Sequence, residues 1–109
     1  MEDYIIEVFN KCCEHYGLSK FKRDYPSLCI KHDEEDLLSG EYCAENNEIM
    51  INTYYILNDD DVAKTICHEY IHYLQSPTWM KRYNKMYQYY DHPYEVEAYG
   101  RESEILNLL

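Results

Sequence analysis

Residues 58–75 constrain the fold more than any other stretch of the chain. Asn58-Asp59-Asp60-Asp61 offers a side-chain cap followed by first-turn carboxylates, and Val62, Ala63, Ile66, Cys67, Tyr70 and Leu74 then recur three and four residues apart before Pro77. This spacing predicts an amphipathic helix. In a helix, residues four apart lie one above the other, so His68 and His72 can hold one ion from a single rigid element. Glu69 falls on the neighbouring face, where it can reach a water on that ion without being a ligand, which is the position a general base needs. The segment His68-Glu69-Tyr70-Ile71-His72 therefore points to zinc on the two imidazoles and base chemistry at Glu69. The bland alternative is two polar positions on a half-buried helix, and the surroundings decide between them.

Those surroundings read as α+β. Ile5, Val8, Phe9, Cys12, Cys13 and Tyr16 predict a first helix stopped at Gly17, and Ser27–His32, between Pro26 and the acidic run Asp33–Asp36, predicts a strand. Gly40–Glu45 and Glu48–Asn52 flank Asn46-Asn47, which suits a hairpin with a two-residue primed turn. In its second strand Ile49 and Ile51 face the core while Glu48, Met50 and Asn52 face away, so Glu48–Asn52 is the candidate edge for holding an extended peptide. Met80, Tyr83, Tyr87, Tyr90 and Tyr94 form a further helical pattern, broken at Asp91-His92-Pro93, and a last helix runs from about Pro93 toward Leu109. The expectation is one zincin-like domain over residues 1–109: an N-terminal helix, a small three-stranded sheet, the metal helix and C-terminal helices. A chain of 109 residues closes one core, not two.

Composition excludes several function classes. The formal charge is −11, from 21 acidic against 10 basic side chains, and phosphate binding needs the reverse, so nucleic acid is not an expected partner. The basic groups at Lys20–Arg23 and Lys81–Lys85 read as solvated faces. Five cysteines, Cys12, Cys13, Cys29, Cys43 and Cys67, are an odd number without C-x-x-C spacing, and the first residues lack a secretory pattern; a reducing, cytoplasmic compartment is expected. No apolar run approaches ~18 residues, so no membrane span is expected. Fourteen tyrosines against two phenylalanines imply a core whose polar tips need partners.

A third metal ligand is sought on the last helix, where Glu95 and Glu97 diverge by roughly 160° and only one can face a given ion. Glu95 shares its side with Ala98, Tyr99, Glu102 and Leu106, a mostly small or apolar stripe suited to packing on the metal helix. Glu97 sits with Gly100, Arg101 and Glu104 on what reads as a solvated side. Glu95 is favoured, Glu97 is the reserve, and His92 or Asp91 would follow if neither served. His92 could also assist an oxyanion or simply belong to the turn before Pro93. The Tyr83–Tyr94 stripe could supply a phenol to a tetrahedral intermediate, although its regular spacing favours core packing. His15 and His32 read as surface residues, and Cys67 as core packing.

Taken in order, the strand, the hairpin with Glu48-Ile49-Met50-Ile51-Asn52, His68-Glu69-Tyr70-Ile71-His72 and Glu95-Val96-Glu97-Ala98 resemble the minimal gluzincins and the core of the ImmA/IrrE-type metallopeptidases. The resemblance spans roughly residues 27–106, and its diagnostic elements are His-Glu-x-x-His and Glu-x-x-Ala. It implies zinc, a peptide or protein substrate, ligands His68 and His72, a catalytic Glu69 and a third ligand Glu from the later helix, which the spacing to Ala98 makes Glu95. Where the broader pattern often continues with Asp or Asn, this chain has Tyr99, so a carboxylate or amide that would orient a ligand is missing. The metzincin extension would need Gly at 75 and His at 78, where Gln75 and Thr78 stand. The expected function is zinc-dependent peptide hydrolysis, the alternative a zinc-binding module that holds a peptide or partner protein without turnover.

Overall fold

The computed structural model describes residues 1–56, 58–77 and 92–109, and its architecture is the expected α+β arrangement. Helix α1 (Glu2–Tyr16) buries Ile5, Val8 and Cys12 and ends at Gly17, whose φ of 75° suits a residue without Cβ and whose N–H donates to the Cys13 carbonyl at 3.1 Å. Strands β1 (Ser27–Lys31), β2 (Gly40–Cys43) and β3 (Glu48–Asn52) form one sheet in the order β1-β3-β2. Helix α2 (Asp59–Leu74) starts at Asn58, whose side chain accepts from the Asp61 N–H at 2.9 Å, with Asp59, Asp60 and Asp61 in the first turn as expected. Helix α3 (Pro93–Arg101) opens with proline at its first position and gives way to a 3₁₀ segment, Glu102–Asn107, so the last helix stops short of Leu109. The Met80–Tyr90 part of the tyrosine pattern, the Lys81–Lys85 group and Asp91 lie outside the described residues.

Two expectations for the sheet are corrected. β3 is the central strand: it pairs in parallel with β1 (Leu28 opposite Ile49) and antiparallel with β2 (Tyr42 opposite Ile49), so Glu48–Asn52 offers no free edge. The reversal between β2 and β3 spans residues 44–47, not two, and only Asn47 has positive φ, 50°, where a two-residue primed turn needs two such residues. Asn47 is fixed there by its side chain, which accepts from Tyr42 Oη at 2.8 Å and donates to the Asp24 and Tyr25 carbonyls.

Asn52 likewise does not face solvent. It is fully buried, accepts from the N–H groups of Asp33 and Tyr54, and donates to the carbonyls of Asp33 and Asp36 at 2.9 Å each. Its own N–H donates to the Ser39 carbonyl at 2.8 Å, so one residue of β3 holds both ends of the 33–39 loop.

The core lies between the inner sheet face and the helices. Ile49 and Ile51 meet Val62, Ala63, Ile66, Cys67, Tyr70, Ile71 and Tyr73 of α2, with Ile5, Val8 and Cys12 below and Ala98 and Ile105 closing the C-terminal side. Each large aliphatic side chain buried here stabilises the fold by roughly 1.5–3 kcal/mol against leaving it in water. The tyrosine tips find partners: Tyr70 donates to the Gly17 carbonyl and Tyr73 to the Asp24 carbonyl, both at 2.7 Å. Among the described residues no helix is long and apolar enough to cross a membrane.

Candidate metal centre

The last two turns of α2 carry His68, Glu69 and His72, each 7% exposed, on the side of the helix that meets α3 and β2. Glu95, in the first turn of α3 and 2% exposed, comes up against both imidazoles. His68 Nε2 lies 3.2 Å from His72 Nε2 and 3.5 Å from Glu95 Oε1, and His72 Nε2 contacts the same carboxylate oxygen. Adjacent ligand atoms of a tetrahedral zinc with bonds of ~2.0–2.1 Å stand ~3.3–3.4 Å apart, so the spacing of these three atoms fits that ion. Among the described residues this is the group of His, Cys, Asp and Glu side chains whose ligand atoms converge.

The tautomers follow from the partners on the far side of each ring. His68 Nδ1 is 2.9 Å from Glu102 Oε2, and a carboxylate only accepts, so Nδ1 carries the hydrogen and Nε2 presents its lone pair to the centre. His72 Nδ1 is 2.8 Å from Gln75 Oε1. Gln75 cannot be turned the other way, because its Nε2 donates to the Tyr94 carbonyl at 2.8 Å and to Glu97 Oε1 at 2.7 Å, both pure acceptors. His72 Nδ1 is therefore also the donor. Two imidazole lone pairs and a carboxylate oxygen then meet with no donor between them, and Glu95 Oε2 is buried without a hydrogen-bond partner. Three acceptors in one place require a shared positive charge, either a proton or a metal ion.

The electrostatics express the same demand. Burial works against a charged His68, but Glu95, Glu69 and Glu102 outweigh it and hold the imidazole up at about 9. Burial would raise Glu95, and the two imidazoles instead bring it down to about 2. Glu69 responds in the other direction: burial lifts its carboxyl up to about 7 against the pull of His72 and His68.

Glu69 points away from the three ligand atoms toward β2. A methyl group placed on Gly40 would stand 3.3 Å from Glu69 Oε2, 3.2 Å from its Cγ and 2.7 Å from Thr65 Cγ2, so glycine is what lets the strand pass this close. Two cavities of about 290 and 310 Å³ meet here, sharing Leu38, Gly40 and Glu69. One continues past Glu41, Tyr42, His72, Tyr94 and Glu95, the other past His68, Tyr99 and Glu102.

Of the two candidate third ligands the structure brings Glu95 to the imidazoles. Glu97 does not sit idle in solvent as its neighbours suggest: it accepts from Gln75 and lies 3.8 Å from Arg101 Nη1. His92 is buried at the N-terminus of α3 with Nδ1 2.6 Å from Tyr94 Oη, apart from the converging atoms. Cys67 packs in the core, as expected. The reading that a ligand-orienting group is missing at Tyr99 is corrected, because Glu102 and Gln75 do that work from other positions. Helical spacing holds the signal for both: Gln75 is three residues after His72, and Glu102 shares the Glu95 side of the chain. Tyr99 sets its ring edge-on to His68, centroids 4.6 Å apart. No family model, no curated protein and no solved structure matches the chain.

Proposed function

We propose that the chain is a zinc-dependent peptidase of gluzincin type, with His68, His72 and Glu95 as metal ligands and Glu69 as general base. The observation that carries this reading is the convergence of two imidazole lone pairs and one carboxylate oxygen at tetrahedral spacing, each ring held in the required tautomer from behind. Zinc, when bound, lowers the pKa of water toward ~7 and polarises a carbonyl. Glu69 takes the proton from the attacking water and delivers it to the leaving amine; a carboxyl lifted by burial to about 7 suits both transfers near neutral pH. The extended substrate lies along β2, an edge strand whose Gly40, Glu41 and Tyr42 line the cleft beside Glu69, so main-chain hydrogen bonds hold it with little demand on sequence. The charge of −11 supports a peptide or protein partner over nucleic acid, and five free thiols support a cytoplasmic setting.

The test is metal analysis of protein purified without added zinc, together with peptide-library cleavage by wild type and Glu69→Gln. One zinc per chain, lost in the His68→Ala, His72→Ala double variant, and cleavage lost in Glu69→Gln with zinc retained, are the expected results. Equal metal content in wild type and the double variant removes the metal site. Zinc without cleavage leaves the non-catalytic binding module.

A further inference from the structure

The cleft around Glu69 is rich in acceptors and poor in donors, whereas peptide hydrolysis places a developing negative charge on the substrate carbonyl oxygen. We infer that the donor aimed at that oxygen is the hydroxyl of Tyr94, with His92 as the residue that positions it; this inference rests on the peptidase reading. The side-chain donors on the walls of the two cavities are few. Tyr42 Oη donates to Asn47 Oδ1 at 2.8 Å, Thr65 Oγ1 donates to the Asp61 carbonyl at 2.7 Å, and the Gln75 amide is committed to Tyr94 O and Glu97. Ser39 lies on the far side of Gly40 from His72 and Glu95. That leaves two phenols on α3 that bracket the third ligand: Tyr94 sets its ring edge-on to His72, centroids 5.7 Å apart, and Tyr99 does the same to His68.

Burial separates the two. Tyr94 is 7% exposed and lines the same cavity as Glu69, His72 and Glu95, while Tyr99 is 50% exposed. A donor stabilises a transition state most when its orientation is fixed before the reaction. Tyr94 has that fixing, because its oxygen lies 2.6 Å from Nδ1 of His92, which is itself buried and held at the start of α3 ahead of Pro93. With His92 Nδ1–H donating to the phenol oxygen, the phenol hydrogen is left to bond the oxyanion. No proton changes owner in this step, and Tyr94 remains neutral throughout.

The experiment uses zinc-loaded wild type, Tyr94→Phe, Tyr99→Phe, His92→Ala and His92→Asn, whose amide can replace the Nδ1–H donor. Tyr94→Phe is expected to keep its zinc and its KM while kcat falls about 10²–10³-fold. Affinity for a phosphinic peptide, tetrahedral and anionic at the reacting centre, should fall by a similar factor, with affinity for an ordinary peptide unchanged. His92→Ala should lose part of the same effect, and His92→Asn should recover it. Tyr94→Phe activity within about twofold of wild type overturns the assignment, as does a larger loss in Tyr99→Phe, or equal weakening of ordinary and phosphinic peptides. Wild type that binds zinc and cleaves nothing overturns the peptidase reading beneath it, a result distinct from active wild type with an unaffected Tyr94→Phe.

Discussion

Glu69 is a carboxyl that the fold holds at the expense of stability, and its removal makes that expense measurable. Burial raises the group from 4.5 to about 7, so between those pH values the folded chain keeps a proton that the unfolded chain has released. Stability is then complete below pH 4.5 and falls as the pH rises toward 7, because the folded state binds more protons throughout that window. At 1.36 kcal/mol per pH unit, the displacement is worth about 3 kcal/mol at pH 8. Glutamine has nearly the same shape and no charge to desolvate, so Glu69→Gln escapes the loss. In protein stripped of metal with a chelator, parent and variant should unfold at similar urea concentrations at pH 4, and the variant should be more stable by about 3 kcal/mol at pH 8. For a domain of this size that is on the order of 10 °C or more in Tm. Contributions from His68 and Glu95 are common to both proteins and cancel to first order in the difference. Far-UV circular dichroism across a urea series at the two pH values provides the measurement. A stability difference that is the same at pH 4 and pH 8, or a variant less stable than its parent at pH 8, would refute the claim that Glu69 is held against its own ionisation.

Two further outcomes follow from the geometry. Gln75→Leu and Glu102→Ala should each weaken zinc binding about 10–100-fold in chelator competition, because each frees an imidazole to take the wrong tautomer, while Gln75→Glu, which keeps an acceptor oxygen, should lose less. Gly40→Ala should destabilise the chain by about 1–3 kcal/mol through the 2.7 Å approach to Thr65 Cγ2, and Thr65→Ser, which removes that methyl, should restore part of the loss in urea unfolding.

The helices and the metal group were legible because their signals are local. Asn58 and the three aspartates announce the start of α2, periodicity sets its buried side, and the same periodicity separates Glu95 from Glu97. Strand order was not legible, since it depends on which strand the chain returns beside. Nothing within Glu48–Asn52 tells that β1 will pair along its other side in parallel and make it central. Asn52 was misread for a related reason: alternation assigns it to the outer face, but its side chain serves the 33–39 loop, a tertiary partner that period-two patterning does not contain.

The misplaced orienting group has a geometric explanation. α3 and the segment after it run back along α2, so ascending numbers on one meet descending numbers on the other. Gln75 meets Tyr94 and Glu97, His72 meets Glu95, His68 meets Tyr99 and Glu102, and Cys67 meets the Arg101 carbonyl. Ala98, fully buried, lets the two helices close at the middle of this contact. His68 lies one turn further along α2 than His72, so the residue that reaches behind its ring must lie well beyond Glu95. An acid four residues on is one way to do this and Glu102, seven on, is another, because four and seven residues both return to nearly the same side of a helix. The tightening into the 3₁₀ segment begins at Glu102 itself, which brings its carboxylate onto His68 Nδ1 while position 99 is left to an aromatic ring against the same imidazole. The antiparallel track of α3 against α2, and not any single motif position, decides which side chain orients each ligand.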